Sequence, residues 1–241
     1  MAPKEPSLPI QVDEGDGQWP RCPECGRELI YLGICFCCPD HGAFSEELEK
    51  LELEGLAKAL VESSMKARKL CIDFISKLKP KLEEEMRFLF IKGVKWNVRV
   101  YEERGGALHL IANRTGVSTT RPGLWGTPMA FFLYVTWNPI TVGIDDFKAI
   151  QDTIFDQYGR AENAANLVII FAPAIVKEGA GYCAQQKTCK RLAQQGLNQV
   201  GFVVVGPEGG IISEVSGRLR GYVKHHFPEA YELLSKMGGW E

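Results

Sequence analysis

The spacing of apolar residues along this chain changes from a helical period to a strand period near residue 93. Between residues 45 and 78, apolar side chains recur at intervals of three, four and seven, the heptad-like pattern of a long amphipathic helix or coiled coil. Ser45 is suited to cap this helix and Pro80 to end or kink it, and a second helix is predicted over residues 81–90. The apolar seam of the long helix comprises Leu53, Leu56, Leu60, Ala67, Cys71, Phe74 and Leu78.

The rest of the chain reads as strands separated by helices. Alternating or continuous apolar runs predict strands at 94–101, 107–113, 129–137, 167–176, 199–206 and 210–215. Helices are predicted at 144–158 and 187–195, with a C-terminal helix interrupted at Pro228. A meander of three strands followed by alternating helices and strands predicts an α/β fold, with a mixed sheet and helices on both faces.

Two short runs near the start of the chain repeat one pattern of metal-ligand residues. They are Cys22-Pro23-Glu24-Cys25-Gly26 and Cys38-Pro39-Asp40-His41-Gly42. In each, two ligand residues are separated by two others, Pro follows the first ligand and Gly follows the second. Pro favours the turn, and Gly allows the positive φ with which the backbone leaves it. Zinc prefers four such sulfur and nitrogen ligands in a tetrahedron.

On these residues, segment 20–44 resembles the zinc-ribbon superfamily. The resemblance implies that Cys22, Cys25, Cys38 and His41 bind Zn²⁺, and that residues 28–32 and 34–36 form a small hairpin between the two turns. Zinc ribbons bind nucleic acid in many proteins and hold protein surfaces together in others, so the resemblance implies a metal and leaves the partner open.

A second ligand set is possible because Cys35 and Cys37 lie beside the second turn. Cys22, Cys25, Cys35 and Cys38 also form two pairs with a two-residue gap. We favour His41 over Cys35 because only the Cys38/His41 pair repeats the Pro and Gly of the first turn. The role of Cys37 stays open.

Composition places the protein among ordinary globular chains. It has 241 residues, 45% of them apolar and 24% charged, with a net charge of −2. Residues 1–19 carry no apolar core of a secretion signal and are predicted to be a disordered tail, which favours a cytoplasmic protein with no membrane association. The predicted organisation continues with the ribbon at 20–44, a long helical connector at 45–92 and a mixed α/β domain at 93–241.

Charge along the chain suggests one possible partner. Residues 1–60 carry 5 Lys/Arg against 12 Asp/Glu, whereas residues 61–100 carry 10 against 5. The 15-residue connection at 114–128 has no regular pattern and contains cations and a Trp, which suit phosphate contacts and base stacking. The alternatives are a solvated helix face and a loop held by Trp packing. The predicted nucleic-acid-binding residues are Lys95, Arg99, Arg114, Arg121 and Trp125.

Catalysis is not expected from the recognisable chemistry. The order of elements is similar to that of restriction-endonuclease-like nucleases, which need carboxylates and a lysine at adjacent strand ends to hold magnesium. Asn113-Arg114 and Thr136-Trp137-Asn138 stand where those residues are expected. The adjacent Asp145 and Asp146 lie where a helix begins and are assigned to capping.

The sequence therefore predicts a zinc-binding, non-catalytic protein that binds DNA or RNA or assembles around it. One alternative is an enzyme of unrecognised type on the α/β domain. Another is a protein–protein scaffold that assembles through the ribbon and forms a homodimer through the 45–78 helix.

Overall fold

A computed structural model describes most of the chain. The described residues are 19–83, 86–88, 91–94, 96–102, 108–115, 130–158, 164–184, 199–214 and 219–238. The predicted helix at 187–195 lies outside them. None of the described helices has the length and apolar character needed to cross a lipid bilayer.

The first part of the described chain, residues 19–54, is called the N-terminal module here. It contains a three-stranded antiparallel sheet of β1 (Ile30–Tyr31), β2 (Phe36–Cys38) and β3 (Gly42–Phe44). The predicted hairpin is thus extended by a third strand. This strand forms because the chain reverses at Gly42, whose φ is +87°, and brings Gly42 opposite Cys38.

The long helix, α1 (Gly55–Glu83), begins ten residues later than predicted. The Ser45 hydroxyl does accept backbone hydrogen bonds, but from Glu47 and Glu49 (3.2 and 3.3 Å), so it caps a local turn in which Leu48 has a φ of +64°. Lys50 then pairs with Phe44, at the end of β3. Residues 46–54 therefore belong to the N-terminal module and not to the helix.

The end of the helical connector also differs from the prediction. Pro80 lies inside α1, which continues to Glu83. The predicted helix at 81–90 is wrong, because β4 (Met86–Phe88) and β5 (Ile91–Val94) form an antiparallel pair there. The apolar run in this segment is short, and short runs fit a helix or a hairpin equally well.

The main sheet has six strands and confirms the predicted mixed α/β class. Its spatial order is β11-β10-β9-β8-β7-β6; the β8–β9 and β9–β10 pairs are parallel and the others antiparallel. The central strands β8 and β9 are the most apolar, as expected of strands covered on both faces. The strands are β6 (Asn97–Glu102), β7 (Leu108–Thr115), β8 (Ala130–Trp137), β9 (Ala164–Phe171), β10 (Gln199–Val205) and β11 (Ile211–Glu214).

Helices cover both faces of this sheet. Phe74 of α1 packs on Phe171, with ring centroids 5.4 Å apart, and Phe147 of α2 packs on Phe202 at 5.2 Å. Phe171 is in register with Val205, so Phe202, three residues earlier in β10, points to the opposite face. The remaining helices are α2 (Ile144–Tyr158), α3 (Lys177–Ala184), α4 (Leu219–His226) and α5 (Pro228–Lys236).

The heptad-like seam of α1 is used within the chain. Eight residues of α1 are buried, and the helix contacts β6, β7, β8, β9 and α5. Leu56, which the pattern placed on the seam, is 90% exposed. A coiled coil is therefore not supported by the described residues; α1 instead braces the sheet. Its buried residues are Val61, Ser64, Ala67, Cys71, Phe74, Ile75, Leu78 and Leu82.

Candidate metal centre

Both ligand-bearing turns have the backbone shape that their sequence requires. In the first, the Gly26 N–H donates to the Cys22 carbonyl (2.8 Å) and the Cys22 N–H donates to the Arg27 carbonyl (2.7 Å). Gly26 and Gly42 follow the second ligand of each turn with φ of +73° and +87°. This left-handed conformation is costly for residues with a Cβ, which explains the Gly in each motif.

The four predicted ligands converge on one point. The potential ligand atoms of Cys22, Cys25, Cys38 and His41 all lie within 4.8 Å of one another. The Cys25 and Cys38 sulfurs are 3.7 Å apart, and His41 Nδ1 lies 3.5 Å from the sulfurs of Cys22 and Cys38. A zinc tetrahedron with ordinary bond lengths has S···S edges of about 3.8 Å and S···N edges of about 3.6 Å. The prediction that these four residues are positioned to bind a metal ion is confirmed.

The surroundings of Cys22 favour the thiolate, which is the form that binds metal. Burial acts to raise the pKa of the Cys22 thiol. Hydrogen bonds from the backbone of Glu24 and Cys25, and from the thiols of Cys25 and Cys38, outweigh it and lower the pKa to about 7 from 9.0.

Polar residues around the ligands hold the two turns together. Glu24, inside the first turn, lies 3.7 Å from Nε2 of His41 and accepts a hydrogen bond from Lys50 at 2.9 Å. That hydrogen bond lowers the pKa of Glu24. Arg27 and Asp40 form an ion pair of 2.6 Å between the turns. A carboxylate on the far nitrogen of a ligating histidine is the usual outer partner in metal sites. Our sequence reasoning missed Glu24 and Lys50, although Glu24 lies within the motif.

Cys35 and Cys37 are not part of this cluster. Both are buried among apolar side chains of the main core, and burial raises the pKa of both thiols, that of Cys37 to about 11. Successive residues of a strand point to opposite faces, so Cys38 turns towards the other ligands while Cys37 turns away. The alternative set with Cys35 in place of His41 gains no support among the described residues.

Most residues of the proposed nucleic-acid surface cannot be located. Lys95, Arg121 and Trp125 lie outside the described residues, and Arg114 is described only as a backbone partner of Phe131 at the end of β7. Arg99 is exposed on β6, in register with Ile111 and so with Tyr134. This is the α2 face of the sheet, so Arg99 lies on the opposite face from α1.

Several cations of the basic stretch on α1 have carboxylate partners. Lys66 pairs with Glu208 at 2.9 Å, and Lys81 pairs with Glu232 at 2.8 Å. Lys79 lies 3.8 Å from Glu83, one helical turn away. These pairs reduce the positive charge that α1 presents to a polyanion.

The remaining polar candidates have structural surroundings. Asp146 accepts a hydrogen bond from the Gly143 N–H (2.7 Å) and one from the Asn138 amide (3.3 Å), which is the expected capping role. His109 is 5% exposed, and its Nδ1 lies 2.8 Å from the Thr136 hydroxyl and 2.9 Å from the Tyr134 hydroxyl. These hydroxyls come from the strand paired with β7, a contact that sequence spacing alone does not reveal.

Comparison with known proteins adds no relative. No family model matches the chain, and neither the curated proteins nor the solved structures include a significant match. The functional argument therefore rests on the geometry of this chain alone.

Proposed function

We propose that the protein binds one Zn²⁺ through Cys22, Cys25, Cys38 and His41, and that the ion is structural. The observation that carries this proposal is the set of 3.7 and 3.5 Å separations between ligand atoms, which match the edges of a zinc tetrahedron. Three thiolates and one imidazole favour zinc over the harder Mg²⁺ and Ca²⁺. Four protein ligands leave no open position for substrate, which is typical of a structural site.

Metal analysis of the purified protein tests this proposal. About one equivalent of zinc per chain is expected. Cys38→Ser should lose the metal, whereas the neighbouring Cys37→Ser should retain it, because Cys37 lies in the apolar core. Loss of zinc from both variants, or from neither, would contradict the ligand assignment.

As a second function we propose non-catalytic association with nucleic acid. Its support is the excess of cations at 61–100 and the exposure of Arg99, Lys69 and Lys77. Binding of this kind is weak, largely independent of base sequence and steeply dependent on salt, because neutralised phosphates release counterions.

The positions of the cations make the test directional. Arg99 and the lysines of α1 lie on opposite faces of the sheet, so one flat surface of DNA or RNA cannot engage both. We expect either Arg99→Gln or the pair Lys69→Gln and Lys77→Gln to reduce the salt dependence by about one unit per contact, but not both changes. Absence of binding at low salt would overturn this second function and favour the protein–protein scaffold.

A further inference from the structure

The N-terminal module has two different faces. One face forms a small apolar cluster around the ligands, with Cys22, Leu29, Cys38 and Phe44. The other face belongs to the main hydrophobic core that also contains α1 and the six-stranded sheet, and it contributes Ile30, Leu32, Cys35, Cys37 and Ala43. The module is thus packed onto the rest of the molecule and not attached by a linker alone.

One loop of the α/β part makes the closest described contact with the module. This 138–143 loop joins β8 to α2 and carries Ile140. A Cβ added to Gly33, in the tight turn between β1 and β2, would lie 2.9 Å from Cγ2 of Ile140. The two chains approach this closely because Gly33 has no side chain, and its φ of +82° also favours glycine.

The same loop is held by three elements of the α/β part. The Ser64 hydroxyl of α1 donates to the Pro139 carbonyl at 2.7 Å, Asp146 of α2 caps Gly143 at 2.7 Å, and Val142 pairs with Ile175 before α3. Trp137, the last residue of β8, donates from Nε1 to the Ser64 carbonyl at 3.2 Å. A shift of this loop would therefore disturb α1, α2 and the end of the central strand together.

We propose that metal binding by the N-terminal module stabilises the α/β part through the contact of Gly33 with the 138–143 loop. This inference rests on the proposed zinc site and adds that the ion acts beyond its own module. The ligands fix the turns that flank the β1–β2–β3 sheet, the sheet positions Gly33 against Ile140, and the loop joins α1, α2 and β8. Such coupling is reciprocal, so loosening the loop also weakens metal affinity.

Hydrogen exchange of the full chain measures the coupling directly. The protein is compared with Zn²⁺ and after zinc removal by a chelator, and exchange is followed in peptides that cover 57–66 and 138–150. With free zinc about 100 times the dissociation constant, exchange in these peptides should slow by up to about 100-fold if the coupling is complete. Slower exchange confined to residues 20–54 would overturn the inference.

A variant of the contact separates this inference from the proposed function. Ile140→Ala should retain one zinc but lose most of the zinc-dependent protection at 57–66. Ile72→Ala is the matched control, because Ile72 is an isoleucine of similar exposure on α1 (37% against 42%). Equal protection by zinc in wild type and Ile140→Ala would refute the route through the loop.

A second variant guards against misfolding of the first. Ser64→Ala removes the hydrogen bond to Pro139 without touching the N-terminal module, and it should reduce zinc-dependent protection at 138–150. A protein that binds no zinc at all fails the proposed function. One that binds zinc without protecting either peptide fails only this inference.

Discussion

Glu24 connects the two halves of the metal site to the chain behind them. It lies in the first ligand turn, faces His41 of the second turn, and pairs with Lys50 beyond β3. A ligating imidazole is oriented and made more basic by the group on its far nitrogen. Glu24 should therefore influence metal affinity although its own oxygen atoms are not ligands.

Replacing this carboxylate tests that role. Glu24→Gln should lower zinc affinity by about 10- to 100-fold, the usual effect of losing an outer partner, while the stoichiometry stays at one. Competition with a chromophoric chelator measures the affinity. Glu28→Gln is the control, since Glu28 is an exposed carboxylate of the same module that lies 3.8 Å from Arg21. An unchanged affinity in Glu24→Gln would mean that water fills the outer position equally well.

Glu232 gives a prediction about pH. Hydrogen bonds from Lys236 and then from Lys81 of α1 lower the pKa of this carboxyl to about 2 from 4.5. A pKa lowered by folding adds stability that is present above the unfolded value and is lost as the pH falls through the folded value. The stability difference between wild type and Glu232→Gln should therefore be constant above about pH 4.5 and vanish towards pH 2.

Urea unfolding at several pH values, at low ionic strength, measures this difference. Low salt matters because Glu232 is partly exposed and the ion pairs are screened. Glu47→Gln, at an exposed turn position, should show no such loss. A difference that persists unchanged at pH 2 would assign the effect of Glu232→Gln to packing.

At the level of the element, α1 shows how one apolar pattern can serve two structures. A seam of residues three and four apart can face a second helix or the sheet of its own chain, and the spacing is the same in both cases. In this structure Phe74 is 3% exposed and packs on Phe171 of the central strand β9. The seam therefore adds stability to the single chain.

Truncating Phe74 tests this role. Phe74→Ala should reduce the free energy of unfolding by about 3–5 kcal/mol, through lost burial and the cavity left behind. Ile72→Ala, one turn face away and 37% exposed, should cost far less. Urea unfolding at two protein concentrations is the measurement. A midpoint that rises with concentration in wild type and not in Phe74→Ala would instead place Phe74 in a dimer interface.

Elements with a clear period were predictable from the sequence. The α2 helix matches its predicted bounds, because Phe147, Ile150 and Ile154 mark one helical face, and β8 was recognised from its continuous apolar run. The metal ligands were predictable because their turns are local. The start of α1 was not, since Ser45 satisfies the capping pattern in a turn that Lys50 holds by pairing across the module. The contacts of His109 and of Gly33 depend on tertiary packing.

At the level of the whole molecule, the sheet and the metal module differ in how their contacts form. The parallel pairs β8–β9 and β9–β10 join residues far apart in sequence, whereas the N-terminal module is built from near neighbours. Non-local pairing usually dominates the folding barrier. If the module docks after that barrier, zinc binding belongs to the late steps.

Zinc should therefore act mainly on unfolding. We expect it to slow unfolding of the sheet while changing the refolding rate little, because contacts made after the transition state affect the unfolding limb. Stopped-flow fluorescence of the buried Trp96 and Trp137 follows the sheet. Cys38→Ser should show no zinc effect on either rate. Faster refolding with unchanged unfolding would place the docked module in the transition state.

The contact at Gly33 also matters for protein engineering. The tip of a tight hairpin is commonly chosen for epitope tags or grafted peptides, because exposed tips tolerate added residues. Here the tip lies against Ile140, where even one methyl group would come within 2.9 Å of a neighbouring carbon. A graft between Leu32 and Cys35 would separate the module from the sheet. The exposed turn at Glu46 and Glu47 is the better place for added sequence, because Ser45 closes that turn from its side.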